Sequence, residues 1–144
     1  MWGTAALFFS IVTSVYTARW IVTARVGDRV ELDLAPGVVT WKRHRSGHPD
    51  EYIKYCDPVD KRAICDQFVT ANNRVRFPIT NGRVLSSGVL VIYSYKPSDA
   101  GFYSSPDHEM EETIHPDGVA TRLAGPQIEL KTIGEEKLVI IRPE

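Results

Sequence analysis

The stretch Leu90 to Ser105, LVIYSYKPSDAGFYSS, constrains this chain more than any other. Leu90 and Ile92 follow the two-residue period of a strand, Lys96-Pro97-Ser98-Asp99 supplies turn chemistry, and Phe102-Tyr103 restarts an extended run. The stretch therefore reads as a strand, a tight corner and a second strand. The full spacing, Leu-x-Ile-x-x-Tyr-x-Pro-x-Asp-Ala-Gly-x-Tyr, is far more specific than alternation alone.

The remaining sequence continues in the same vein. Trp20 to Asp28 reads as a strand ending at a Gly-Asp turn, and Arg29 to Leu34 alternates strictly, with Val30, Leu32 and Leu34 on one face. Val38 to Arg43 forms the next strand, followed by a polar turn at 44–50. Glu51 to Tyr55 and Ile64 to Val69 read as a strand pair around Asp57-Pro58, Arg74 to Phe77 as a short strand, and Asn81-Gly82 as a turn. His115-Pro-Asp-Gly118 predicts a hairpin pairing Glu112–Ile114 with Val119–Thr121.

At 144 residues the chain holds one domain plus accessories, and 43% apolar against 24% charged residues is enough for a packed core. A formal net charge of −1 argues against a nucleic-acid partner, which needs a basic surplus to neutralise phosphates. Residues 1–18 contain no charged side chain and hold an apolar run from Ala5 to Val12, too short for a span of about 20 residues. They are expected to be a secretory signal, cleaved after Ala18 or Ala24, with an uncleaved anchor as the alternative. Cys56 and Cys65 fit that oxidising route, and a bridge between them would contribute about 2–3 kcal/mol; two free thiols are the other reading.

Together, Trp41 and the Leu90 to Tyr103 spacing resemble the immunoglobulin superfamily, in which Leu90, Ile92 and Tyr103 belong to strands E and F on either side of a tyrosine-tied corner. The resemblance covers about residues 20 to 142 and implies an all-β, two-sheet antiparallel sandwich of V or I type. Two departures stand out: the inter-sheet cysteine positions hold Leu34 and Ser105, a large residue facing a small one beside Trp41. The family pairs a strand D arginine with the corner aspartate, and Arg76 and Asp99 occupy the matching positions. The stretch Ile133 to Arg142 resembles strand G, which makes 106–132 a long F–G insertion; the competing assignment places strand G at 127–133.

Little in the chain suggests catalysis. His44 and His48 lie on a loop, and His108 and His115 sit among acids that read as a solvated loop, so neither a metal, a cofactor nor an active site is expected. Charge placement says more: Lys42, Arg43 and Arg45 leave strand C, while the insertion carries Asp107, Glu109, Glu111, Glu112 and Asp117 with Met110 among them. The strand C cations and the residues from Asp107 to Glu112 make a candidate binding face complementary to a partner or a second copy, against the plainer reading of a salt-bridge fringe. No Asn-x-Ser/Thr sequon is present, so no N-glycan shields that surface. The resemblance to small secreted one-domain immunoglobulin proteins of invertebrates implies extracellular recognition, adhesion or neuronal wiring, with an accessory subunit of a membrane receptor complex as the alternative.

Overall fold

Ten short strands carry the architecture in a computed structural model that describes residues 19–108, 111–114, 116–123 and 125–134. They are β1 (Arg19–Ala24), β2 (Val30–Leu32), β3 (Thr40–His44), β4 (Glu51–Lys54), β5 (Gly82–Val84), β6 (Leu90–Ile92), β7 (Gly101–Ser104), β8 (Glu111–Ile114), β9 (Ala120–Leu123) and β10 (Gln127–Thr132). A five-stranded sheet runs β1-β10-β7-β3-β4, a three-stranded sheet runs β2-β6-β5, and β8 and β9 form a separate hairpin. Neighbours are antiparallel except β1, which runs parallel to β10. This is the immunoglobulin-like sandwich with a long insertion between strands F and G.

Alternation builds the core. Val30 and Leu32 of β2, and Leu90 and Ile92 of β6, face Trp41 of β3, Ile53 of β4, Tyr103 of β7 and Ile128 and Leu130 of β10 across the two sheets. Trp41, Ile53, Leu90, Ile92 and Tyr103 are each 0% exposed, so their side chains are wholly removed from water, each at about 1.5–3 kcal/mol of transfer free energy. The indole N–H of Trp41 donates to the Gly88 carbonyl at 2.9 Å, which satisfies a polar group that burial would otherwise penalise. Gly88 sits at φ +97°, and a Cβ there would lie 2.9 Å from the Val38 carbonyl, so this close approach requires glycine.

Five sequence expectations about strands and turns need correction. β10 pairs with β7 through Ile128↔Tyr103 to Leu130↔Gly101, so the strand G position belongs to Gln127–Thr132 and the insertion ends before it. Most of the other assignment, from Glu135 onward, lies outside the described residues. In the hairpin Ile114 pairs with Ala120 and Thr113 with Thr121, one residue away from the expected register. The described part of the loop, 116–119, has Gly118 at φ +88° and the Val119 N–H donating to the Asp117 carboxylate.

The other three corrections concern the connection from β4 to β5. Ile64 to Val69 is not a strand: Ala63–Cys65 forms a 3-10 turn, and only Val69 pairs, exchanging backbone hydrogen bonds with Tyr52 at 2.7 and 2.9 Å. The Cys56–Cys65 disulfide, with Cα atoms 5.5 Å apart, closes the loop over nine residues and leaves too little chain for a full ladder. Arg74 to Phe77 makes a single bridge, Val69↔Val75, and Phe77 is 70% exposed beside Pro78, which has no N–H to continue a ladder. Asn81-Gly82 is likewise no turn, because Gly82 opens β5 and the reversal falls at Ser86 to Gly88.

Candidate binding face and the charge network beneath it

Trp41 fixes which side of β3 faces the core, and a two-residue period then sends Arg43 and Arg45 the same way. Arg43 is 0% and Arg45 7% exposed, so neither belongs to the candidate binding face on which their charge had placed them. Both converge on Glu51, the inward residue at the start of β4. Arg43 donates from Nε to Oε1 at 2.6 Å, and Arg45 donates from Nη2 and Nε to Oε2 at 2.6 and 3.1 Å. The Arg43 guanidinium also lies 3.9 Å from the Phe68 ring centroid, a cation–π contact in a dry setting.

The same network replaces the expected corner pair. Asp99 does not pair with Arg76. Its Oδ1 lies 3.5 Å from Arg43 Nη1 and accepts a hydrogen bond from the Thr80 hydroxyl at 2.6 Å, while its Oδ2 accepts from the Lys96 N–H at 2.9 Å. Arg76 instead approaches Glu51 at 3.5 Å and contacts His48 Nδ1 at 3.0 Å. β3 pairs with β7 inside the sheet and so holds Arg43 at the corner, whereas the segment carrying Arg76 forms no strand to hold it there. Tyr103 completes the corner by donating its hydroxyl to the Asp99 carbonyl.

Three guanidiniums, Arg43, Arg45 and Arg76, thus surround two carboxylates, Glu51 and Asp99. Burial alone would lower the Arg43 pKa, but its attraction to Tyr103 and Glu51 outweighs that and raises it. Burial would raise the Glu51 carboxyl, yet Arg43 and the donors of Arg45 hold it below its ordinary value. Burial, partly offset by Arg43, pushes the Tyr103 hydroxyl up to about 12. Leu34 is buried as well, and Ser105 donates its hydroxyl to the Thr40 carbonyl at 2.6 Å.

The outer face of the five-stranded sheet carries the complementary parity. Lys42 pairs with Ser104 on one side and Tyr52 on the other, and His44 pairs with Phe102, which in turn pairs with Glu129 and so with Ile21. Lys42, His44, Asp50, Phe102, Ser104 and Gln127 line a shallow concavity of about 390 Å³ on this face. His44 Nδ1 is hydrogen-bonded to Asp50 at 2.9 Å at its rim. Phe102 was not among the residues singled out from the sequence, although its place next to inward Tyr103 dictates that it points outward.

Asp107 lies at the base of the insertion. Its Oδ2 accepts the N–H groups of Val39 and Thr40 at 2.8 and 3.0 Å, and its own N–H donates to the Ser105 hydroxyl at 3.0 Å. Burial opposes its ionisation, but the Thr40 and Val39 donors prevail and its pKa is lowered. Glu109 and Met110 lie outside the described residues, whereas Glu111 and Glu112 fall on β8 opposite Leu123 and Arg122.

One grouping of potential metal ligands, Cys56, Asp60 and Cys65, occurs among the described residues. Both sulfurs are committed to the disulfide, and Asp60 is held at about 2 by hydrogen bonds from the Arg62 side chain and backbone. Also among the described residues, no helix is long and apolar enough to cross a membrane.

No family model matches the sequence, and no curated protein matches it. Among solved structures, the extracellular portion of mouse CD200RLa aligns with a TM-score of 0.40 and 14% identity, covering 81% of this chain and 56% of that one. The chain thus spans little more than half the length of that structure, and the sandwich assignment rests on the strand order and pairing themselves.

Proposed function

We propose that this chain is a secreted immunoglobulin-like module that binds another extracellular protein, in cell-surface recognition, adhesion or neuronal wiring, and performs no catalysis. The observation that carries the reading is the outer face of the five-stranded sheet, where Lys42, His44, Phe102 and Ser104 surround a shallow concavity. An aromatic side chain within a polar rim, on a surface without an N-glycan sequon, matches the arrangement of a protein interface. The hairpin of β8 and β9 follows β7 in the chain, and Asp107 fastens its base to the start of β3. Fold alone does not imply this role, because one sandwich hosts many functions.

Two variants test it against a panel of cell-surface proteins. Lys42→Glu reverses a charge on the face, and replacing residues 109–123 by a short Gly-Ser linker removes the hairpin while keeping the Asp107 anchor. Loss of at least tenfold in affinity in either variant is expected. Undiminished binding by both, with melting unchanged, would overturn the assignment of the face.

A further inference from the structure

The four edges of the two larger sheets differ in how they are protected. β4 is covered by the Tyr52–Val69 backbone pair and the disulfide loop, and the exposed side chains of β2 and β5 are the charged Glu31 and Arg83. Among the described residues β1 lies at the other edge of the large sheet, paired on one side only, with six consecutive register pairs to β10 and therefore no bulge in that pairing. From Trp20 to Ala24 it holds no charge and no proline, and Trp20 and Ile21 are 48% and 60% exposed. Native proteins rarely leave such an edge open, because it templates pairing with another strand.

The orientation of the backbone shows what fits. The Ala24 carbonyl accepts the Ile133 N–H, so it points toward β10. By alternation Val22 and Trp20 point the same way, and Thr23, Ile21 and Arg19 present their N–H and C=O groups to the open side. Beyond them the edge closes, because the Arg25 N–H donates to Asp28 Oδ2 and the Arg25 carbonyl accepts the Asp28 N–H.

We propose that the open edge of β1 is a self-association edge, at which two copies of this chain pair β1 with β1 antiparallel about a two-fold axis through Ile21. This register sets Ile21 against Ile21 of the second copy, Trp20 against Val22, and Arg19 against Thr23, using every outward backbone group on both chains in about six hydrogen bonds. The next register along would oppose Arg19 to Arg25 and run into the turn. A net charge of −1 leaves little repulsion between copies. The result is one continuous ten-stranded sheet whose outer faces lie side by side. The inference does not depend on the partner proposed above.

Sedimentation equilibrium of the secreted product, its N-terminus mapped by mass spectrometry, tests it across micromolar to millimolar concentrations. A reversible doubling of mass is expected. The Thr23 N–H faces the open side, so Thr23→Pro spares the β1–β10 ladder and should weaken dimerisation at least tenfold with melting unchanged. Ile21→Lys should do the same by placing two like charges face to face. A monomer at all concentrations, or a dimer indifferent to both substitutions, would overturn the proposal. So would a product beginning after Ala24, or dimerisation seen only after truncation at Gly134, which would assign the edge to the chain's own residues 135–144.

Discussion

Replacing Glu51 by glutamine removes one negative charge from the buried network while keeping the shape of the side chain. Glu51 is 0% exposed and accepts hydrogen bonds from Arg43 and Arg45 on its two oxygens, with Arg76 3.5 Å away. In the variant one oxygen becomes an NH₂ group that must face a guanidinium donor, and Asp99, which faces Arg43 alone of the three arginines, is left as the only carboxylate of the network. Removing one partner of a buried ion pair costs about 3–5 kcal/mol, and the retained acceptor puts Glu51→Gln near the lower end. At roughly 3–5 °C per kcal/mol for a domain of this size, melting should fall by about 10–15 °C at pH 7. Calorimetry checks this, and near-ultraviolet circular dichroism establishes that the variant folds. The pH dependence supplies a second arm. Because the folded-state pKa of Glu51 is lowered, its contribution is complete above the unfolded value and is lost as pH falls through the folded one. The gap between wild type and variant should therefore narrow on acidification below about pH 4.5. A loss under about 1 kcal/mol at pH 7, or a gap constant down to pH 3, would refute the claim that this charge organises the corner.

Two further outcomes can be measured on the same protein. Converting both Cys56 and Cys65 to serine should lower stability by about 2–3 kcal/mol in denaturant titrations and raise amide exchange across 56–66, leaving the sheets folded. Asp107→Ala should cost about 1–2 kcal/mol and expose the Val39 and Thr40 amides to exchange, because both would lose their acceptor.

Much of the sandwich was legible in the sequence. Leu90, Ile92 and Tyr103 announce two strands and a corner by spacing alone, and the alternation of Arg29 to Leu34 names the inward face of β2 without further help. The inward course of Arg43 and Arg45 was equally legible once Trp41 was taken as buried; their charge argued for the surface and the strand period overruled it, with Glu51 and Asp99 making the burial tolerable. Phe102 was recoverable by the same rule. The strand beside β7 was not, since Gln127–Thr132 and the segment after Ile133 carry similar alternation and only the fit of Ile128 and Leu130 into the core distinguishes them.

Local periodicity and local turn chemistry, both properties of the sequence by itself, determined a series of strands and a corner at Lys96 to Asp99, while the all-β sandwich and the buried tryptophan at its centre followed from the resemblance that Trp41 and the Leu90 to Tyr103 spacing carry. Tertiary structure alone decided which arginine neutralises Asp99, how the β4–β5 connection folds over the disulfide, and where Asp107 fastens the insertion. Each of those depends on which groups the loop lengths and strand registers bring within reach of one another in three dimensions, which no local pattern records.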